Sequence, residues 1–182
     1  MRILTISGSL RAASTNTLLL EAIAELAPSS VTVIRSGSLD SLPHFSPERD
    51  VDPAPEAVTD LRTQLREADA VIICTPEYIH SMPGVLKNML DWVASSGEFV
   101  HKPVGVLSAG PSDMGGSRAH TALSHTMEVL MAQQPEQASL IVPFVRQRMD
   151  ADGRVTDPVL KQALQTVLST LIDTVGKQTA QV

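Results

Sequence analysis

Five short runs of apolar, often β-branched residues recur along the chain, and this spacing constrains the fold more than any other feature. The runs are "RILTI" (Arg2 to Ile6), "VTVIR" (Val31 to Arg35), "AVIIC" (Ala70 to Cys74), "VGVLS" (Val104 to Ser108) and "SLIV" (Ser139 to Val142). Because each run is almost continuously apolar, we expect strands that are covered on both faces. Strands that alternate with helical segments predict an α/β fold with a parallel sheet and helices on both sides.

The segments between these runs have helical spacing in most places. The first helix is predicted from about Thr15 to Leu26. The last helix is the clearest, with apolar residues along one face at Leu160, Ala163, Leu164, Val167, Leu168, Leu171, Ile172 and Val175. The segment 36–57 is rich in Pro, Ser and Asp and predicts a long ordered loop, a type that usually forms a wall or lid of a functional site.

Five strand-helix units predict a doubly wound sheet with strand order 2-1-3-4-5 in one domain that covers residues 1–182. In that order, ligands bind at the carboxyl ends of strands 1 and 3, where the winding reverses. Three unusual loops follow strands 1, 3 and 4, namely "SGSLRAASTNT" (7–17), "TPEYIHSMPG" (75–84) and "SAGPSDMGGSRA" (108–119). We therefore expect the three loops to converge on one crevice.

Composition excludes several classes of function. The net charge of −6 argues against nucleic acid as a partner. No stretch approaches the roughly 18 apolar residues of a spanning helix, and no signal peptide begins the chain, so we expect a cytoplasmic protein away from the membrane. The single cysteine, Cys74, ends an apolar run and is expected to pack in the core. The histidines lack metal-ligand spacing, so no metal site is expected.

The first loop brings hydroxyls, an amide and a guanidinium to a helix N-terminus, where free backbone N–H groups favour an anion. These residues are Ser9, Arg11, Ser14, Thr15, Asn16 and Thr17. Because the patterns G-x-x-x-x-G-K-[ST] and G-x-G-x-x-G are both missing, a single monophosphate is the ligand that fits best. The alternative is that Ser14 or Thr15 only caps the helix and Arg11 is solvated.

The other two loops favour a flat ligand. Pro76 ends strand 3 and is expected to leave the next backbone N–H groups pointing into the crevice, where a planar ring with acceptor atoms would suit them. The alternative is a rigid connection in which Tyr78 only packs. In the third loop, Gly110, Gly115 and Gly116 allow close approach of the backbone, and the helix that follows begins near Arg118. The alternative there is a flexible loop with a solvated arginine.

A monophosphate beside a flat ring describes flavin mononucleotide, and the motifs support this interpretation. The combination of "GSLRAASTN" with "LPHFSPE", "TPEYIHSMPGVLKNMLDW" and "SAGPSDMGGSRA" resembles the NAD(P)H-dependent FMN reductases of flavodoxin-like fold, relatives of quinone, chromate and azo reductases. The resemblance implies that FMN is bound by Ser9, Arg11, Ser14, Thr15, Asn16, Pro76, Glu77, Tyr78, Ser108 and Gly110. Many members have Asn after "PEY", where this chain has Ile79.

The resemblance also implies an activity. Hydride would pass from the nicotinamide C4 of NADPH or NADH to flavin N5, and electrons would then pass to a quinone, free flavin, azo compound or metal oxyanion. No side chain is assigned as an acid or base. The candidates for contact with the substrate or nucleotide are His80, Gly115, Gly116 and Arg118. The alternative function is a flavodoxin-like electron carrier, whereas a hydrolase with Ser9 as nucleophile lacks the G-x-S-x-G pattern.

The helix after Pro83 carries more apolar surface than one side of a sheet can cover. Its apolar residues are Val85, Leu86, Met89, Leu90, Trp92 and Val93. Either this helix is deeply buried or it meets a partner. The resemblance favours a homodimer or a homotetramer that uses this helix.

Overall fold

The computed structural model describes residues 1–180 and contains a five-stranded sheet in the order β2-β1-β3-β4-β5, which confirms the predicted fold class. Every neighbouring pair of strands is parallel. The strands are β1 (Arg2–Ser7), β2 (Thr32–Arg35), β3 (Ala70–Thr75), β4 (Val104–Ala109) and β5 (Ser139–Val142). The helices are α1 (Thr15–Leu26), α2 (Glu56–Glu67), α3 (Gly84–Ala94), α4 (Ser117–Val129) and α5 (Pro158–Thr179).

Strand register places the carboxyl ends of four strands along one edge of the sheet. Ser7 pairs with Cys74, Thr75 pairs with Ser108, and Ala109 pairs with Val142. The loops that leave β1, β3, β4 and β5 therefore begin side by side, as the predicted strand order requires.

The helices form two layers with a separate apolar cluster under each. On one face, α1 and α5 pack through residues such as Leu19, Ile23 and Leu164. On the other face, α2, α3 and α4 pack through residues such as Leu65 and Met89. Within residues 1–180, no helix combines the length and the apolar character that a bilayer span requires.

The expectation that all five strands are covered on both faces holds only for the centre of the sheet. Every residue of β3 and β4 is buried. The edge strands β2 and β5 each expose residues, including Thr32 and Arg35 in β2. The physical reason is that an edge strand has a sheet neighbour on one side only, so its apolar residues are less completely enclosed.

The long loop between β2 and α2 packs on helix α3. The indole Nε1 of Trp92 donates to the carbonyl oxygen of Pro43 at 2.7 Å, and the Phe45 ring meets the Trp92 ring edge-to-face at 5.2 Å. Asn88, which lies on the same helix as Trp92, donates its side-chain N–H to the carbonyl oxygen of Pro43 and accepts from the amide of Phe45. The loop is ordered, as predicted, and it does not line the crevice described below.

Burial explains the apolar surface of α3 without a partner. Its buried residues are Leu86, Met89, Leu90, Trp92 and Val93. The sheet covers one side of the helix, and the loop around Pro43 covers part of the other. Of the two alternatives, the structure has deep burial within the chain, so the apolar surface of this helix does not require an oligomer.

Candidate functional site

A cavity of about 460 Å³ opens at the carboxyl edge of the sheet, where the loops after β1, β3, β4 and β5 meet. Its volume is typical of a small-molecule site. Ten of the residues proposed from the sequence line this cavity: Ser9, Arg11, Ser14, Thr15, Asn16, Pro76, Glu77, Tyr78, Gly110 and Gly116. The other five, Thr17, Ser108, His80, Gly115 and Arg118, do not line it.

The N-terminus of α1 presents unpaired donors at one end of the cavity. The Ser14 hydroxyl accepts from the amide of Thr17 and so caps the helix. The amides of Thr15 and Asn16 have no acceptor within residues 1–180. Ser14 therefore has the capping role that was the alternative interpretation, while the next two N–H groups remain available to an anion.

Asn16 is buried and connects three elements at the floor of the cavity. Its side-chain amide donates to the carbonyl oxygen of Ala109 at 3.5 Å, and its Oδ1 accepts from the Cys74 thiol at 3.2 Å. Burial raises the pKa of the Cys74 thiol far above its ordinary value, so this sulfur stays protonated. The prediction that Cys74 packs in the core is confirmed.

The loop after β3 forms a tight hairpin at the crevice. The amide of Tyr78 donates to the carbonyl oxygen of Ser81 at 2.9 Å, and the amide of Ser81 donates back at 3.1 Å. The Tyr78 N–H is therefore not free for a ligand, contrary to the expectation for the residues after Pro76. Ile79 and His80, the two central residues, have φ of 49° and 60°, the backbone of a type I′ turn.

Glu77 binds the N-terminus of α4 with its carboxylate. Oε2 accepts from the amides of Arg118 at 3.0 Å and Ala119 at 3.3 Å. Burial opposes ionisation, but the bonds from Ala119, His80 and Arg118 outweigh it and lower the pKa of Glu77. The guanidinium of Arg118 contacts the His80 ring, with Nη1 3.1 Å from Nε2. Glu77 thus joins the β3 loop to the start of α4.

Two of the residues proposed from the sequence hold the β4 loop in place. The Ser108 hydroxyl is fully buried and donates to the carbonyl oxygen of Gly115 at 3.0 Å. Gly115 has φ of 56°, and a Cβ there would lie 2.7 Å from the backbone nitrogen of Pro143. The close backbone approach predicted for this glycine is made to the end of β5.

Sequence reasoning missed seven residues that line the cavity: Ala13, Ala109, Pro111, Ser112, Met114, Val145 and Arg146. Pro111, Ser112 and Met114 belong to a loop that the sequence analysis already selected. Val145 and Arg146 follow β5, and the predicted strand order, with β5 beside β4, was the signal that could have found them. The amide of Val145 donates to Gly110, which fixes this segment against the crevice.

The charge of the cavity is opposite in sign to that of the whole protein. Arg11 and Arg146 both line it and are exposed, and neither forms an ion pair within residues 1–180. Glu77 is the acidic residue that lines it, and its charge faces the amino end of α4. A cavity with two cations in a protein of net charge −6 attracts an anionic ligand. Among residues 1–180, no group of three or more His, Cys, Asp and Glu residues is placed so that it could hold a metal ion.

The comparisons with known proteins agree with this geometry. The model of the NADPH-dependent FMN reductase family matches residues 1–147. The chain belongs to the NADPH-dependent FMN reductase family. It is an FMN-dependent oxidoreductase with NAD(P)H as electron donor, and the electron-carrier alternative is not supported.

Individual relatives of this FMN reductase cover nearly its whole length. The chain is 32% identical to an NAD(P)H-dependent FMN reductase of Pseudomonas aeruginosa, with 94% of this chain and 93% of that protein aligned. It is 33% identical to a 2-hydroxy-1,4-benzoquinone reductase of a Burkholderia species, with 92% of each chain covered. Among solved structures, it is similar to FerB, a flavoenzyme NAD(P)H:(acceptor) oxidoreductase from Paracoccus denitrificans, with a TM-score of 0.87, 27% identity and 97% of each chain covered.

Proposed function

We propose that FMN lies in the crevice with its phosphate at the N-terminus of α1, and that a quinone is the acceptor of its electrons. The free amides of Thr15 and Asn16 carry this assignment, because two unpaired N–H groups at the positive end of a helix are suited to a phosphate. Arg11 adds a cation at the same loop, and its amide holds the Ser9 hydroxyl in place at 3.3 Å.

The opposite side of the cavity suits a flat ring. Pro76 supplies a rigid surface and Tyr78 an aromatic one. Gly110 has no side chain, which allows the β4 loop to fold closely back on itself. A Cβ at Gly110 would meet the backbone of Gly115 and Gly116 at 3.3 Å. The residues present therefore fit FMN. Ser108 contributes to the site by holding Gly115, not by direct contact.

The chain supplies orientation and electrostatics. When bound, FMN supplies hydride acceptance from the nicotinamide and two-electron delivery to the acceptor. Glu77 lines the cavity, but its lowered pKa keeps it ionised at neutral pH, so it does not act as a general acid. Consistent with the sequence interpretation, we assign no acid or base. The mouth of the cavity must stay open so that nucleotide and acceptor enter in turn.

The acceptor proposal draws on the relatives. The Burkholderia relative is named for a hydroxybenzoquinone, and a quinone reductase of Escherichia coli is 29% identical over 86% of this chain. Free flavin, azo compounds and metal oxyanions remain the other candidates.

We further propose that the protein is a single cytoplasmic domain and that it forms a homodimer or a homotetramer. Light scattering after size exclusion measures the oligomeric state directly.

An anaerobic visible spectrum of the protein reconstituted with FMN tests the proposed function. We expect the flavin band to bleach on addition of NADPH or NADH and to return when a benzoquinone is added. Bleaching without recovery by the quinone would contradict the acceptor assignment. If FMN does not bind, the placement of its phosphate at α1 is wrong.

Arg118 provides a test of how the nucleotide binds. Its guanidinium is exposed and contacts the His80 ring, so it is available to the 2′-phosphate of NADPH. We expect Arg118→Ala to raise the KM for NADPH several-fold, while the KM for the acceptor stays within twofold. Arg49→Ala removes an exposed arginine of the loop between β2 and α2, away from the β3 and β4 loops, and is the matched control. Equal effects of Arg118→Ala on both KM values would exclude this contact.

A further inference from the structure

A second cavity of about 470 Å³ adjoins the phosphate end of the crevice. Ala13, Thr15 and Arg146 line both cavities, so the two are joined at the point where we place the FMN phosphate. Neither the chemistry of FMN nor the family match assigns a ligand to this second space.

The far wall of the second cavity is a hairpin that packs tightly against α1. Met149 and Val155 pair in an antiparallel bridge, and the amide of Asp150 donates to Arg154 at 2.9 Å. A Cβ at Gly153 would lie only 2.6 Å from the side chain of Leu18. The hairpin is therefore seated directly on α1, and the cavity beside it is a built feature of the fold.

Charge differs between the two ends of this cavity. Arg146 stands at the junction and forms no ion pair within residues 1–180. At the other end, the Asp150 carboxylate accepts from the amides of Asp152 and Arg154, and Asp152 lies 3.6 Å from the Arg154 guanidinium. A ligand that suits both ends has a phosphate near Arg146 and neutral hydroxyl and ring groups beyond it.

We propose that the second cavity is an adenylate subsite, so that the protein binds FAD as well as FMN. The flavin phosphate of FAD takes the place proposed for the FMN phosphate, its second phosphate meets Arg146, and its adenosine occupies the second cavity. This inference rests on the proposed function, because it requires a flavin phosphate at α1. The carboxylates of Asp150 and Asp152 disfavour a further phosphate, which makes the 2′-phosphorylated adenylate of NADPH a poor occupant.

The test is a fluorescence titration of the apo-protein with FMN, FAD and riboflavin. We expect FAD to bind within tenfold of FMN, and riboflavin to bind much more weakly than either. Arg146→Ala should weaken FAD at least tenfold more than it weakens FMN. Ala151→Trp places a large side chain in a position that lines only the second cavity, and should weaken FAD at least tenfold with little effect on FMN. Arg49→Ala is the charge-matched control.

Each contrary outcome identifies what has failed. The adenylate subsite would be excluded if FAD bound 100-fold more weakly than FMN. It would also be excluded if Ala151→Trp left the affinity for FAD unchanged, and neither result would contradict the binding of FMN. If Arg146→Ala lowered the affinities for FMN and FAD equally, Arg146 would contact only the first phosphate, and its assignment to the second phosphate of FAD would be wrong. If Ala151→Trp raises the KM for NADPH but leaves the ratio of FAD affinity to FMN affinity unchanged, the second cavity binds the nucleotide donor and the FAD proposal is wrong. If the unmodified apo-protein did not bind FMN, the proposed function would be wrong as well.

Discussion

The packing of Gly115 leads to a sharp prediction, that Gly115→Ala is destabilising and weakens FMN binding. The added Cβ would lie 2.7 Å from the nitrogen of Pro143 and 2.8 Å from both the Val142 carbonyl carbon and Ile141 Cγ2. Two of these atoms belong to the backbone of β5 and its exit, which cannot move without distorting the sheet edge. The β4 loop must therefore shift away from β5, and the bond from Ser108 to Gly115 is strained or lost.

The size of this effect follows from two contributions to the free energy of unfolding. The left-handed backbone at φ of 56° costs a residue with a Cβ roughly 1 kcal/mol. Overpacking against a rigid neighbour costs roughly 1–3 kcal/mol. The expected total is therefore about 2–4 kcal/mol of lost stability, and FMN affinity should fall because the loop that carries Gly110 and Gly116 is displaced.

The assay is urea unfolding of the apo-protein, combined with an FMN fluorescence titration. Gly176→Ala is the matched control, since Gly176 is exposed inside α5 and a Cβ there meets nothing within 4 Å. Alanine should stabilise that helix by about 0.5–1 kcal/mol. A Gly115→Ala protein as stable as the unmodified protein, with unchanged FMN affinity, would refute the argument from the packing of the β4 loop.

Three further predictions concern single side chains. Ile79 is 96% exposed at a left-handed position, so Ile79→Asn should raise the free energy of unfolding by about 1 kcal/mol in urea; no gain would contradict the strain. Burial lowers the pKa of His120, although the hydrogen bond from its ring to the carbonyl oxygen of Val106 opposes this shift. The neutral imidazole therefore stabilises the folded state above pH ~6.5, the pKa of an unperturbed histidine, and this stabilisation is lost as pH falls through the folded pKa. His120→Gln should therefore flatten the decline in stability from pH 7 to 5, and an unchanged slope would exclude His120. The buried Cys74 thiol should react with a thiol reagent only in denaturant; fast labelling of the native protein would disprove its burial.

Local patterns predicted the fold because they reflect local requirements. The β-branched apolar runs coincide with all five strands to within one residue at each end, and the predicted α1 begins and ends where the observed helix does. The strand order followed from the number of units and the preference for a doubly wound sheet. Ten residues proposed for the site line one cavity, because the loops after strands 1, 3 and 4 of such a sheet must meet.

Contacts between distant residues could not be predicted in this way. The sequence does not show that the Glu77 carboxylate binds the start of α4, because that contact depends on a residue 41 positions later. It does not show that the loop at Pro43 covers Trp92, so that the apolar surface of α3 is buried without a partner. The sequence by itself determined the sheet, its order and the edge that carries the site, since periodicity and turn chemistry are local. Tertiary structure alone decided which side chains face the cavity, and it brought Arg146 there, because packing settles the final direction of each loop.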